Sequence, residues 1–293
     1  MLLEALYNPD LLEKLDPDGI IEVFEATTEI LKQEPPYVKL NYFEGEAVFA
    51  GDTHGDFSTT KYIIKKFLTK ALKTEQYLIF LGDYIDREPE PEGSLYNLLY
   101  LCLLKINIPD RVFLLKGNHE AHYSVFCYPY AFDRELIEIF GNFGIKIHRA
   151  AVSLFKEMPL MIKTTNGVIA SHAGFPLHGQ EINDKSRQDL IIDILWSDAD
   201  ISPMFRGFGI PKFTEDQLIH FLKTYNASCF IRGHDYNVAG KSIYSNRCIT
   251  VFTCRRYSSI AGIKIARVDV AKKINDAAGV ILEEISPSFD TLL

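Results

Sequence analysis

Five apolar runs of this chain are each followed by Asp, Asn or His side chains beside a glycine. In the run over 77–81 every residue is apolar or aromatic, and Gly82 and Asp83 follow at once. A carboxylate at the end of a buried strand is costly unless a charge or hydrogen bonds compensate for it. Ligands bind at the carboxyl ends of strands in open α/β sheets, so Asp83 is the first candidate for a metal ligand.

The same pattern occurs four more times. Residues 47–50 precede GDTHGD, 112–115 precede KGNHE, 168–170 precede SHAG, and 229–231 precede RGHD. One Gly-Asp pair after a strand is an ordinary turn, but five such sites in one chain are not explained by turns. Oxygen ligands mixed with imidazoles suit Mn, Fe or Zn better than Ca or a structural zinc.

These residues suit the chemistry of two metal ions held roughly 3.5–4 Å apart, which polarise a phosphoryl group and lower the pKa of a shared water. A carboxylate shared between the ions would complete the bridge. The candidate metal ligands are Asp52, His54, Asp83, Asn118, His172 and His234.

Phosphoryl transfer also needs a general acid for the leaving alkoxide and arginines that bind the phosphate oxygens bidentately. His119 follows a proposed ligand and is the candidate acid, with Asp86 as the carboxylate that orients it. The candidate phosphate-binding arginines are Arg87, Arg206 and Arg232.

Hydrophobic spacing predicts the elements that position these residues. A hairpin is expected over 38–41 and 46–50, and Ser58 is expected to cap a helix from Thr59 to about Lys73. Strand, loop, helix and the next strand form a βαβ unit with candidate ligands in its first loop. Further helices are predicted over 94–104, 133–140, 187–195 and from a cap at Thr214 to about 225, and further strands over 111–116, 167–171, 228–232, 247–253, 262–268 and 279–284.

Length and composition predict one domain. Residues 1–36 read as an N-terminal helical cap of two short amphipathic helices, and 37–293 as the catalytic domain. The 31 basic and 39 acidic residues give a net charge of −8, so the chain lacks the overall positive charge that is typical of nucleic-acid-binding proteins. No apolar run is long enough to span a membrane. The five scattered cysteines read as reduced core residues, which favours a cytoplasmic location.

GDTHGD, GDYIDR, GNHE, a His-Ala-Gly and an Arg-Gly-His together resemble the phosphoprotein phosphatase family of metallophosphoesterases, which contains protein phosphatases 1, 2A and 2B. The motifs occur in the family's order over 46–262, and LWSD at 195–198 matches a further block. The resemblance implies an α/β (α+β) fold, in which two packed mixed β-sheets are flanked by helices: the four-layer sandwich of calcineurin-like metallophosphoesterases.

The resemblance also implies roles for the candidate residues. One ion, Mn with Fe or Zn as alternatives, would be held by Asp52, His54 and Asp83. The second would be held by Asp83, Asn118, His172 and His234, so Asp83 would bridge the two. By the same resemblance, His119 with Asp86 is the proton donor, and the phosphate-binding residues are Arg87, Arg206 and Tyr257.

Two loops depart from the family pattern. Glu88 replaces the usual Gly after Arg87, and the loop over 88–92 is longer and more acidic than usual. Around Tyr257 the family's Ser-Ala-Pro-Asn-Tyr is replaced by TCRRY. Both the acidic loop and the pair Arg255 and Arg256 are expected to be solvated, with the alternative that one of these arginines meets substrate phosphate or an acidic partner.

The implied function is a Ser/Thr phosphoprotein phosphatase that uses a metal-bound hydroxide and forms no phosphoenzyme. Its partner would be a phosphoprotein or phosphopeptide, with no nucleic acid or membrane partner and with any regulatory subunit left open. The alternative enzyme is a small-molecule metallophosphoesterase such as a dinucleoside polyphosphate hydrolase. A non-enzymatic phosphoprotein scaffold is disfavoured, because it would be expected to have lost His119 or a ligand.

Overall fold

A computed structural model describes residues 2–72 and 76–286 of the chain. The α-helices among these residues are α1 (Leu2–Ala5), α2 (Pro17–Lys32), α3 (Phe57–Leu72), α4 (Gly93–Asn107), α5 (Phe132–Phe140), α6 (Asn142–Glu157), α7 (Gln188–Trp196), α8 (Glu215–Thr224) and α9 (Ser258–Ala261). The strands are β1 (Tyr37–Lys39), β2 (Glu46–Ala50), β3 (Gln76–Phe80), β4 (Val112–Leu114), β5 (Met161–Lys163), β6 (Val168–Ser171), β7 (Asp198–Ala199), β8 (Lys212–Phe213), β9 (Cys229–Arg232), β10 (Ser242–Ile243), β11 (Cys248–Thr250), β12 (Lys264–Asp269) and β13 (Ile281–Glu284).

The strands form two large mixed sheets and one small one. The five-stranded sheet has the order β13-β12-β2-β3-β4, and the six-stranded sheet has the order β1-β5-β6-β9-β11-β10, while β7 pairs with β8. In the first sheet β2, β3 and β4 are parallel, and in the second β6, β9 and β11 are parallel. The carboxyl ends of each parallel set therefore meet at one edge, as the repeated strand-end motifs predicted.

The two large sheets pack face to face, with helices on both outer faces. Alternate residues of β2 point to opposite sides: Phe49 enters the core between the sheets, whereas Val48 joins the core under α2, α3, α4 and α6. On the other outer face Phe230 of β9 packs against Phe221 of α8. Because both faces are buried, these strands are apolar throughout, and each such large side chain stabilises the fold by about 1.5–3 kcal/mol. The predicted four-layer sandwich is confirmed.

The predicted hairpin over 38–41 and 46–50 is wrong. β1 pairs with β5 in the six-stranded sheet, whereas β2 lies in the other sheet between β3 and β12. Both edges of β2 are thereby occupied, so no edge remains for β1, and residues 40–45 cross from one sheet to the other.

The predicted cap of α3 is also wrong by two residues. The helix begins at Phe57, and the Asp56 carboxylate accepts hydrogen bonds from the backbone N–H of Thr59 at 3.0 Å and from its hydroxyl at 2.7 Å. The Ser58 hydroxyl donates instead to Glu90. Lys73, the predicted last residue of this helix, lies outside the described residues.

Helix α6 was not predicted, although its buried residues Ile147, Ala151 and Leu154 have helical spacing. It packs against α2, which also contacts α4, so the N-terminal segment shares a core with the five-stranded sheet. The division of the chain at residue 36 stays a prediction, and residues 1 and 287–293 lie outside the described ranges. Among the helices of those ranges, none combines the length and the apolar character needed to cross a bilayer.

Candidate metal centre and active site

The strand ends place five site residues in an unusual backbone conformation. His54, Asp83, Asp86, Arg87 and His234 have φ of 43°, 56°, 63°, 61° and 71°. This left-handed region is uncommon for residues other than glycine. Such strained residues cluster at functional sites and persist only where the surrounding structure holds them in place.

Two glycines allow the ends of β3 and β4 to approach each other. A Cβ on Gly117 would lie 2.2 Å from the backbone nitrogen of Asp83, and one on Gly82 would lie 2.4 Å from the nitrogen of Gly117. Any other residue at either position would push the two strand ends apart. Close packing of the ligand loops therefore explains the glycines beside Asp83 and Asn118.

The first group of candidate ligands surrounds the imidazole of His54. Its Nδ1–H donates to the carbonyl oxygen of Ile85 at 3.1 Å, which leaves the Nε2 lone pair available. That Nε2 lies 3.7 Å from Oδ2 of Asp52 and 3.6 Å from Oδ2 of Asp83. The other oxygen of Asp52 accepts the backbone N–H of His234 at 2.7 Å, so Oδ2 is the oxygen that faces His54.

The second group surrounds His172 in the same way. Its Nδ1–H donates to the carbonyl oxygen of Leu81 at 2.9 Å. Its Nε2 then lies 3.0 Å from Oδ1 of Asn118, 3.0 Å from Nδ1 of His234 and 3.5 Å from Oδ1 of Asp83. Asp83 thus presents one oxygen to each group, which is the arrangement expected of a bridging ligand.

Burial leaves the imidazoles in the protonation state that a metal requires, whereas it disfavours the charged form of Asp52 unless a cation stands beside it. Burial raises the pKa of Asp52 well above its ordinary value, and the neighbouring carboxylate of Asp83 raises it further. Burial lowers the pKa of His54 and His234 far below normal and that of His172 to about 4. The imidazoles are therefore neutral at pH 7, and neutral imidazole is the form that ligates metal.

The donor set fits divalent metal ions. Carboxylate, amide and imidazole donor atoms converge in two groups that share Asp83. Donor atoms of His54, Asp83 and His119 lie within 4.8 Å of one another, and so do those of Asp83, His172 and His234. Among the described residues His234 also keeps a buried Nε2 without a hydrogen-bond partner. This cluster can hold divalent metal ions of the borderline class that accepts both oxygen and nitrogen.

His119 and Asp86 form a tightly held pair beside this cluster. Nδ1 of His119 lies 2.5 Å from Oδ2 of Asp86, whose Oδ1 accepts the backbone N–H groups of Ala131 and Phe132 at 2.7 and 3.0 Å. Asp86 is therefore anchored at the N-terminus of α5, where a carboxylate is stabilised. The Nε2 of His119 is buried, has no partner among the described residues, and lies 4.0 Å from Asp83. That nitrogen is placed to exchange a proton with a ligand at the metal cluster.

Arg87 and Tyr257 line the same cluster. Nη1 of Arg87 lies 3.4 Å from Nε2 of His54, and the Arg87 side chain is also hydrogen-bonded to Tyr257. The Tyr257 ring stands 6.1 Å from the ring of His54 and stacks on Tyr236. Their predicted role in binding phosphate stays a prediction.

Arg206 and Arg232 share the carboxylate of Asp198. Arg206 donates to Asp198 at 2.6 Å and to the carbonyl oxygen of His234 at 3.2 Å, so its guanidinium stands beside the second ligand group. Arg232 donates to the other oxygen of Asp198 at 3.1 Å, lies over the Phe213 ring and is fully buried. Full burial and the pairing with Asp198 argue against direct contact of Arg232 with a substrate phosphate, and its predicted role stays a prediction.

Two residues of the site were not predicted from the sequence. Glu120 accepts the backbone N–H groups of Asp83, Tyr84 and Gly117 at 2.8, 2.8 and 2.9 Å, and so ties the ends of β3 and β4 together. Asp198 orients Arg206. Both stand inside motifs that the sequence displays, GNHE and LWSD, but their partners are distant in the chain.

The prediction of a solvated loop is wrong for Arg255. Its side chain is 18% exposed and contacts both Asp56 and Glu90. The acidic loop is likewise partly fixed, because Glu88 accepts a hydrogen bond from the Ser94 hydroxyl at 2.9 Å.

Comparison with known proteins agrees with this geometry. The family model described as calcineurin-like phosphoesterase matches residues 47–237. Serine/threonine-protein phosphatase T of Trypanosoma brucei brucei is 29% identical over 89% of this chain, which spans 57% of that relative's length. The serine/threonine-protein phosphatase 4 catalytic subunit of Kluyveromyces lactis is 26% identical, with 95% of each chain covered.

A solved structure shows the same fold. It is a protein serine/threonine phosphatase from Saccharomyces cerevisiae with similarity to human phosphatase PP5, and it superimposes with a TM-score of 0.79 at 22% identity over 96% of this chain and 94% of its own. The family match covers well over half of the chain and includes every candidate metal ligand. The chain therefore belongs to the calcineurin-like phosphoesterase family.

Proposed function

We propose that this protein is a metal-dependent Ser/Thr phosphoprotein phosphatase that hydrolyses phosphomonoesters. The observation that carries the proposal is the free Nε2 of His119, held by Asp86 beside two ligand groups that share Asp83. A proton donor next to a bridged metal site is what hydrolysis of a phosphomonoester requires. The relatives that match nearly the whole of this chain are named serine/threonine-protein phosphatases.

Two divalent ions would be held by the predicted residues, one by Asp52, His54 and Asp83 and the other by Asp83, Asn118, His172 and His234. Mn is the proposed metal, with Fe or Zn as alternatives, because these ions accept mixed oxygen and imidazole ligands. When bound, the ions supply Lewis acidity towards the phosphoryl group and a water of lowered pKa.

The side chains of this chain would bind and orient the substrate phosphate and protonate the leaving oxygen. Arg87, Arg206 and Tyr257 would hold the phosphate oxygens beside the ligand groups. His119 would give the proton on Nε2 to the leaving oxygen, while Asp86 keeps its Nδ1–H in place and stabilises the protonated ring. Fast reprotonation of the ring from solvent would restore the donor for the next turnover.

No phosphoenzyme is proposed, because the cysteine beside the ligands is unsuited to nucleophilic attack. Cys127 lies 3.3 Å from the Asn118 amide, and burial, followed by the charge of Asp83, raises the pKa of its thiol. The thiol is therefore protonated at neutral pH, and the thiolate is the nucleophilic form.

The proposed partner is a phosphoprotein, and the proposed location is the cytoplasm. All five cysteines are free and buried, which suits a reducing compartment.

The purified holoenzyme should prefer phosphopeptides with basic neighbours to dinucleoside polyphosphates, by about tenfold or more in kcat/KM. A phosphopeptide presents its negative charge at one point, whereas a polyphosphate chain would run past the acidic loop over 88–92 and meet like charge. Initial rates with Mn²⁺ on both substrates, at low and high salt, measure this preference. A higher kcat/KM on the dinucleoside polyphosphate would contradict the proposed function and favour the small-molecule hydrolase.

A further inference from the structure

The two loops that depart from the family pattern meet at the mouth of the site. Arg255 lies in the run TCRRY and Glu90 lies in the acidic loop, 165 positions earlier in the chain. Nη2 of Arg255 contacts Oε1 of Glu90 at 2.5 Å. Both partners belong to segments in which this chain differs from the family, and neither has a role in the chemistry proposed above.

Arg255 is fixed at its other end by Asp56. Its Nε lies 2.9 Å from Oδ1 of Asp56, and its backbone N–H donates to Oδ2 at 2.7 Å. Asp56 is fully buried and caps α3 through Thr59, so it is a rigid anchor. Glu90 also accepts the hydroxyl of Ser58, on the first turn of the same helix, at 3.1 Å. The acidic loop is thereby tied to the N-terminus of α3.

The two residues after Arg255 contact Arg87 directly. Nη1 of Arg256 donates to the carbonyl oxygen of Arg87 at 3.3 Å, and Tyr257 is hydrogen-bonded to the Arg87 side chain. Three consecutive residues therefore hold the segment from Arg87 to Glu90 at three points. Arg87 itself has a φ of 61°, a conformation that needs such support.

We propose that Glu90, Arg255 and Arg256 form a clamp that positions Arg87 for phosphate binding. The inference rests on the proposed function, because it assumes that Arg87 binds the substrate phosphate. Arg255 and Glu90 are positioning residues: they touch the loop that carries Arg87 and not the phosphate. Without the clamp, Arg87 would have to be ordered when substrate binds, and that cost would appear as weaker phosphate affinity.

The clamp and a purely electrostatic effect predict opposite changes in phosphate affinity for one substitution, Glu90→Gln. Removing a negative charge near an anion site strengthens anion binding if the charge acts only through its field. Removing the charge of Glu90 also breaks the ion pair with Arg255 and releases the Arg87 loop, which weakens anion binding. Glu92 lies in the same loop, and Glu92→Gln removes an identical charge while the Glu90–Arg255 pair stays.

The test is the inhibition constant of inorganic phosphate, measured for the wild-type holoenzyme, Glu90→Gln and Glu92→Gln. Because the Glu90–Arg255 ion pair is partly exposed, we expect Glu90→Gln to raise the inhibition constant of phosphate about threefold to fivefold. Glu92→Gln should leave it unchanged or lower it. Equal effects of the two variants, or tighter phosphate binding by Glu90→Gln, would overturn the clamp.

An Arg87→Ala background separates the clamp from the proposed function. If Glu90 acts through Arg87, adding Glu90→Gln to Arg87→Ala should change phosphate inhibition no further. An undiminished effect of Glu90→Gln in that background would overturn the clamp while leaving the phosphatase assignment intact. If Arg87→Ala binds phosphate as tightly as wild type, the proposed role of Arg87 fails, and the clamp fails with it.

Discussion

Asp83→Asn is expected to lose bound metal and to lower kcat/KM by about 10⁴-fold, because several kcal/mol of charge stabilisation are lost at each of two ions. One oxygen of Asp83 faces the His54 group and the other faces the His172 group. The neutral amide has a single oxygen and no charge to share. Metal analysis after gel filtration, together with kinetics on a phosphopeptide, measures both losses.

The fold of the Asp83→Asn variant should survive, because the apolar strand that precedes it is unchanged and an amide oxygen can still accept the backbone N–H of His119. Asp133→Asn is the matched control: it removes a carboxylate from the first turn of α5, outside both ligand groups, and should keep metal and activity. Two ions retained at full occupancy in Asp83→Asn would contradict the bridging role.

His119→Gln is expected to keep both metals and to lower kcat on a phosphoserine peptide by about 10²–10⁴-fold. The imidazole has no part in either proposed ligand set, and its Nδ1 is already taken by Asp86. What the variant lacks is a proton donor for the serine alkoxide. The loss should be much smaller on p-nitrophenyl phosphate, whose leaving group scarcely needs a proton.

The comparison of the two substrates is the decisive readout for His119. Asp86→Asn should show the same dependence on the leaving group more weakly, because it keeps the donor but loosens its orientation. Equal losses of kcat on both substrates would count against general acid catalysis, and loss of metal from His119→Gln would assign this residue to the ligand set.

The strand ends and the candidate ligands that follow them are predictable from the sequence because each signal is local. An unbroken apolar run such as 77–81 identifies a strand buried on both faces, and the Gly-Asp that follows marks where it ends. No local signal shows to which sheet a strand belongs, so the sequence predicts a hairpin of residues 38–41 with β2 that the fold does not contain. Pairing depends on which edges are free, and β3 and β12 occupy both edges of β2.

Side-chain partners are equally hard to predict. Arg232 has the residue type and the motif of a phosphate ligand, but its burial against Asp198 becomes evident only when the fold brings β9 beside residue 198. The contact between Arg255 and Glu90 joins two segments that each look solvated in the sequence. Long-range ion pairs of this kind leave no periodic pattern in the chain, because the fold alone brings their partners together.

The proposed function requires that this chain hold two metal ions in one site, bridged by Asp83. Anomalous X-ray scattering from crystals of the protein loaded with Mn²⁺ tests it most directly. We expect two peaks roughly 3.5–4 Å apart, one beside Asp52 and His54 and the other beside Asn118, His172 and His234, with Asp83 between them. A single peak, or two peaks that do not share Asp83, would contradict it.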